Sequence, residues 1–174
     1  MCRRLLSLRG LAVLFTSIAL LAALGGGAAS AASVASGPSL APRVAIELQT
    51  IIDVNNARAA RGVGALYSDP QLGTLARERS MDMASHNYFS HYAPDGSAYY
   101  VHLLDVSNVA FQYAGENLAW STYSDDMSAR TAVDGWIASP AHAENLFNSN
   151  YSRAGIGVVS ADGKKYFTMI FVGT

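Results

Sequence analysis

Cysteine is all but missing from this chain: the single one, Cys2, stands in a stretch that reads as removable. The remainder has no disulfide, thiol nucleophile or cysteine metal ligand to draw on, and must hold together by packing alone. Basic clusters are missing as well. Without Arg3, Arg4 and Arg9, nine of the 12 basic residues remain against 13 acidic ones, a formal charge of −4 with the acids scattered. Nucleic-acid binding needs clustered Lys and Arg to displace counterions, and adhesion to anionic headgroups needs the same, so both are excluded as expectations. There is no internal repeat, no His-Glu-x-x-His helix and no Gly-x-Ser-x-Gly elbow, which leaves the metalloprotease and serine-hydrolase signatures without a foothold.

The first residues carry a basic start (Arg3, Arg4, Arg9), an apolar run from Leu11 to Leu24 and the small triplet Ala29-Ser30-Ala31. That is the layout of a signal peptide over residues 1–31, by either the general or the twin-arginine export route, and it predicts a secreted protein. The alternative is an uncleaved anchor, which the Gly- and Ser-rich stretch after Leu24 disfavours; no membrane-spanning segment is expected after cleavage. Cleavage before Ala32 leaves 143 of the 174 residues. Residues 32–42 then read as a flexible linker and residues 43–174 as one domain, expected to be monomeric. A chain of that size buries around two-thirds of its unfolded surface and needs no covalent staples.

Within the domain, Val44, Leu48, Ile51, Ile52, Asn55 and Ala59 recur at helical spacing up to Gly62, with Asn55 read as a structural tie from helix to loop. Asp69-Pro70 supplies an N-cap and a first-turn proline for a second helix. Its apolar face is Leu72, Leu75, Ala76 and Met83, it ends near His86-Asn87, and Arg77 and Arg79 are expected on its solvated side. An irregular, aromatic stretch follows to Ser97, then a short helix over 98–106 and an edge strand at GENLAW. Another helix starts at Asp125-Asp126, buries Ala129, Val133, Trp136 and Ile137, and stops at Pro140. The chain closes with RAGIGVVS and KKYFTMIFV around Ala161-Asp162-Gly163, a hairpin signal. The last strand is apolar on both faces, which requires helices above and below the sheet. The expected fold is therefore α+β, a three-layer α/β/α sandwich.

Three distant segments carry the chemistry: His91 in HNYFSHYAPDG, Glu116 in GENLAW and His142 in WIASPAHAENLF. Two imidazoles, a carboxylate and water suit a borderline divalent ion such as zinc in an open site. The structural alternative is that these three side chains simply hydrogen-bond loops to the sheet. Ser139-Pro140 places His142 in the first turn of a short helix, whose positive end disfavours imidazolium by about 0.3–1 kcal/mol. A nearby Glu116 would favour the charged ring instead. His86 and His102 read as structural or surface residues. Tyr88, Phe89, Tyr92, Tyr99 and Tyr100 either wall a groove for a small apolar or sugar ligand or pack a long loop onto the core.

The ordered set NNARAARGVGAL, LARERSMDMA, YFSHYAPDG, AGENLAW, WIASPAHAENLF, AGIGVV and YFTMIF resembles the CAP superfamily of cysteine-rich secretory, antigen 5 and pathogenesis-related 1 proteins, closest to bacterial SCP-like extracellular proteins. The resemblance covers roughly residues 45–172. It implies the α/β/α sandwich with a three-stranded antiparallel sheet and a cleft that holds two histidines and two glutamates in many eukaryotic members. His91 and Glu116 match two of the four. Ser139 stands at the second glutamate's place and Tyr166 at the second histidine's. Bacterial relatives carry a Ser-Pro-x-His-Arg-x-Asn segment, present here as Ser139, Pro140, His142 and Asn145, with Ala143 at the arginine position. The site candidates are thus His91, Glu116 and His142, for metal or for catalysis, with Tyr88, Tyr92, Ser139, Asn145 and Tyr166 as ligand contacts. Sterol- or lipid-binding members make a non-catalytic module for a small apolar ligand, a metal or an envelope component the leading expectation. A metal-assisted peptidase or esterase with Glu116 as base is the alternative.

Overall fold

The structure, a computed structural model, describes residues 44–174; the expected signal peptide 1–31 and linker 32–42 lie outside them. The elements are α1 (Val44–Ala60), β1 (Tyr67–Ser68), α2 (Pro70–Ser85), α3 (Tyr99–Val106), β2 (Tyr113–Ser121), α4 (Asp125–Ala138), α5 (Pro140–Phe147), β3 (Arg153–Ala161) and β4 (Lys164–Gly173). The sheet order is β1-β3-β4-β2. Strands β3, β4 and β2 form the expected antiparallel trio. A fourth strand corrects the expected count: β1 adds to the outside of β3 in parallel, through Tyr67–Arg153 and Ser68–Ala154. Two residues are too few to show a period of two, so composition gave no sign of it.

Alternation along β4 assigns the two core faces. Phe167, Met169 and Phe171 pack with Ile46, Ile51 and Val54 of α1 and with Ala129, Val133 and Trp136 of α4. On the other face Ile170 and Val172 meet Leu72, Leu75 and Ala76 of α2 and Leu103 and Leu104 of α3. Helices on both faces exclude water from a sheet with no polar side, as the sequence requires. At the hairpin, Asp162 (φ 49°) and Gly163 (φ 74°) are both left-handed, the geometry of a two-residue type I′ turn. Asp69 caps α2 as expected, accepting from Gln71 N at 2.8 Å and Leu72 N at 3.2 Å.

The AGIGVV segment shows why β3 carries glycines. Side chains of Ala154, Ile156 and Val158 enter one core, while Gly155 and Gly157 face the backbone of α2. A Cβ on Gly155 would stand 2.1 Å from the Leu72 carbonyl carbon, and one on Gly157 would stand 2.0 Å from the Arg77 nitrogen. The bare backbone lets α2 lie directly on the sheet.

Helix α1 differs from the sequence reading by rotation. Val44, Leu48 and Ile52 are exposed at 60%, 60% and 45%, and the buried face is Ile46, Glu47, Thr50, Ile51, Val54 and Arg58. Polar residues go inside because each has a partner there. Glu47 takes Arg77 at 2.6 Å and accepts from Val158 N at 2.9 Å, which covers a free amide of β3 where β1 has ended. Arg58 donates to the carbonyls of Gly64, Leu146, Asn148 and Tyr151, fastening the C-terminal end of α5 to α1. Asn55 ties α1 to the following loop, exchanging two hydrogen bonds with Leu66.

Strand β2 lies at the other edge of the sheet. Two of its outward carbonyls are taken by side chains from the neighbouring helices: Trp136 Nε1 donates to Leu118 O at 2.8 Å, and Asn145 Nδ2 to Glu116 O at 3.2 Å.

Candidate functional site

Register decides what β2 presents. Glu116 pairs with Ile170 and Asn117 with Met169, so consecutive residues point to opposite faces. Glu116 faces α2 and is 4% exposed. Its Oε1 accepts from Arg79 Nε at 3.1 Å, and its Oε2 meets His91 Nδ1 at 2.8 Å. Asn117 faces α5 and donates to the His142 carbonyl at 3.0 Å.

The His91 and His142 rings stand with centroids 6.2 Å apart and planes 40° from parallel, so residues 51 positions apart in sequence share one locality. Glu116 serves His91 and not His142. A carboxylate only accepts, so the proton of the His91–Glu116 bond belongs to Nδ1. The partner of His142 Nδ1 is Ser139 Oγ at 2.9 Å. Ser139 has the extended backbone of an N-cap for α5, but its hydroxyl goes to the imidazole rather than to an amide. Burial, and secondarily the neighbouring His91, hold His142 below the ordinary imidazole range, which favours its neutral form. Neither Nε2 has a hydrogen-bond partner among the described residues.

Beside these rings opens a cavity of about 340 Å³ lined by His91, Tyr92, Ala98, Tyr100, Ala114, Gly115, Glu116 and Asn145. Its floor is tightly built: a Cβ on Gly115 would stand 2.4 Å from the Tyr151 hydroxyl and 2.9 Å from Asn145 Oδ1. Asn145 donates to Glu116 O and Asn117 Oδ1 and accepts from Tyr151 Oη. Of the five expected ligand contacts, Tyr92 and Asn145 line this cavity. Tyr88 is turned away to Arg79 and Asp82, Ser139 supports His142, and Tyr166 is buried in a separate cluster with Met83 and Leu118, opposite Trp120 and four residues along β2 from Glu116.

The expected three-ligand metal set does not fit this geometry. Among the described residues no group of three or more His, Cys, Asp or Glu side chains is disposed to hold a metal ion. Both Glu116 oxygens face protein partners, leaving only the two imidazoles with free nitrogens.

Arg79 is the residue that the sequence reading misplaced. Expected in solvent, it is wholly buried. It binds Glu116, donates to the Tyr88 hydroxyl at 2.7 Å and to the Ser90 carbonyl, and lies 3.5 Å from Asp82. Tyr88 in turn donates to Asp82. The signal was present in the spacing, because Arg79 follows Leu72, Leu75 and Ala76 and precedes Met83 on the buried stripe of α2. Arg77 leaves the solvated side too, through its bidentate pair with buried Glu47.

A sheet covered by helices on both faces, with a histidine and a glutamate meeting beside the edge strand, defines the class as an α/β/α sandwich domain with a polar cleft at its edge. Residues 52–172 match the model of the cysteine-rich secretory protein (CAP) family, and the chain belongs to that family. It is 36% identical over 123 residues to an uncharacterised membrane protein of Bacillus subtilis, YlbC, covering 70% of this chain and 33% of that protein. It is 30% identical over 125 residues to the uncharacterised protein YkwD of the same organism, covering 71% and 46%. The chain thus spans less than half the length of these curated relatives. Among solved structures it is similar to an extracellular protein containing an SCP domain from Bacillus anthracis, with a TM-score of 0.63 and 31% identity over 75% of this chain and 41% of the other.

Proposed function

We propose that this chain is an exported, non-catalytic CAP module that takes a small amphipathic ligand into the cleft beside His91. The carrying observation is that the cleft floor has spent its polar atoms. Both Glu116 carboxylate oxygens and both ends of the Asn145 amide are engaged by protein groups. What remains for a ligand is the His91 ring, the Tyr92 and Tyr100 rings with their hydroxyls, and Ala98 and Ala114, a mixed polar and apolar wall. Such a lining suits a small amphipathic, lipid-like molecule or an envelope component, and the volume lies at the small end of ligand pockets. Export is supported by the composition of residues 1–31 and by the likeness to an extracellular relative. The hydrolytic alternative asks Glu116 to act as a base, and a carboxylate fixed between a guanidinium and an imidazole is poorly placed to collect a proton from water.

The test is titration with a dansylated fatty acid followed by fluorescence. Saturable binding is expected in the wild type, weakened at least tenfold in Tyr100→Ala. Ester and peptide turnover measured with added zinc should stay at background; turnover lost in Glu116→Gln would overturn the non-catalytic reading.

The two imidazoles support a second reading, in which a borderline divalent ion such as zinc is held through both Nε2 atoms with water completing its shell. Glu116 then orients His91 and is not itself a ligand. Calorimetry should show binding in the wild type and its loss in both His91→Ala and His142→Ala; retention in both would reject it.

A further inference from the structure

Residues 88–97 are irregular, and they carry His91 and Tyr92 to the cleft. Their internal bonds, such as Ala93 N to Ser97 O and Tyr92 N to Ser90 Oγ, shape the segment but do not place it. Placement comes from α2 and β2. Besides the backbone bond from Tyr88 N to Met83 O, the packing of the Tyr88 ring on Met83 and Leu118 and the His91–His142 ring contact, the side-chain hydrogen bonds are the Tyr88 hydroxyl to Arg79 and Asp82, the Ser90 carbonyl to Arg79, and His91 Nδ1 to Glu116. All but the Tyr88–Asp82 bond of these polar anchors pass through Arg79 or the carboxylate that Arg79 binds.

We infer that Arg79 is a positioning residue: it grips the Ser90 carbonyl and the Tyr88 hydroxyl while holding Glu116, and so fixes how His91 is presented to the cleft without touching a ligand. The inference rests on the cleft reading for its consequence, but not for its geometry. Three separate donors are used, Nε on Glu116, one terminal nitrogen on Tyr88 and the other on Ser90 O. A planar fork reaches three such acceptors at once; an ammonium on a flexible stem does not. The charge matters equally. Glu116 would be a buried carboxylate without a permanent cation if Arg79 were neutral, and the carboxylate is what selects the Nδ1–H form of His91. Free imidazole in water has no such constraint, so the ring's proton position reports the anchorage directly.

The experiment is side-chain ¹H–¹⁵N NMR of the full chain at roughly pH 8.5, where an ordinary imidazole is neutral. His91 of the wild type is expected as the Nδ1–H form. In Arg79→Lys it should become a mixture with Nε2–H in the majority, with the His102 signals unchanged, and dansylated fatty acid should bind at least tenfold more weakly. Should the lysine variant fail to fold, Arg79→Met combined with Glu116→Gln leaves no buried carboxylate at position 116 without a cation, and Glu116→Gln alone is its reference. In that reference Arg79 takes the single amide oxygen and turns the NH2 donor to His91 Nδ1, which then carries no proton, so Nε2–H is expected. The double variant frees the oxygen and should regain Nδ1–H in part. A folded Arg79→Lys that retains the wild-type His91 signature, or a double variant whose His91 spectrum is that of Glu116→Gln, overturns the inference. If the wild type shows the signature but binds no fatty acid, the ligand reading fails while the ring spectrum still decides the role of Arg79.

Discussion

Glu116 on β2 and Arg79 on α2, 37 residues apart in sequence, meet at 3.1 Å with side chains 1% and 0% exposed. A charge pair this deep repays its desolvation only while both partners are present.

Removing one partner therefore costs more than the pair contributes. Glu116→Ala leaves Arg79 buried without its carboxylate and is expected to destabilise the fold by about 3–5 kcal/mol, a fall of roughly 10 °C in Tm. Glu116→Gln keeps an acceptor and the volume and should cost less than half of that. Thermal unfolding by circular dichroism compares the two; equal losses would mean that lost charge, not an unsatisfied partner, sets the effect.

Gly155→Ala and Gly157→Ala each place a methyl group within about 2 Å of the α2 backbone. Overpacking against main chain cannot be relieved by a rotamer change, so a loss of about 3 kcal/mol or more is expected, at or beyond the usual range. Gly64→Ala, where a Cβ meets nothing within 4 Å, is the control and should change stability by no more than about 0.5 kcal/mol. Urea unfolding midpoints measure all three, and a neutral Gly157→Ala would show that α2 does not sit where described.

Burial first, then the hydrogen bond to Asp82, pushes the Tyr88 hydroxyl from its ordinary 10 up to about 12. In the unfolded chain the phenol ionises near 10. Between those values the native state holds a proton that the unfolded state has lost, so stability falls as pH rises from about 10 towards 12. Tyr88→Phe lacks that contribution and should show the shallower loss over the same window. Unfolding midpoints of both proteins from about pH 9 to about pH 11 give the comparison; parallel curves would place the Tyr88 titration in the ordinary range.

Most of the layer architecture was legible, for reasons that particular residues make plain. The two apolar faces of β4 dictate covering helices on both sides, Asp69-Pro70 marks the start of α2, and Asp162-Gly163 marks the hairpin. The locality shared by His91, Glu116 and His142 was legible from motif order. Its internal wiring was not. Pairing of Glu116 with Arg79, and of His142 with Ser139, depends on strand register and helix rotation, which composition does not encode. Helix α1 misled for a related reason. An apolar stripe at Val44, Leu48 and Ile52 outscored the true inner face, because Glu47, Thr50 and Arg58 become acceptable inside only once partners on other elements are known.

The capped rims of the sheet have a consequence for crowded surroundings. An edge strand with free amides and carbonyls invites a second chain to add on, the first step towards fibrous aggregates. Here Trp136 and Asn145 occupy two rungs on one rim and Glu47 occupies one on the other. A misregistered neighbour would have to displace a tryptophan and an amide to pair at those rungs of β2, and a carboxylate to pair at Val158 on the other rim.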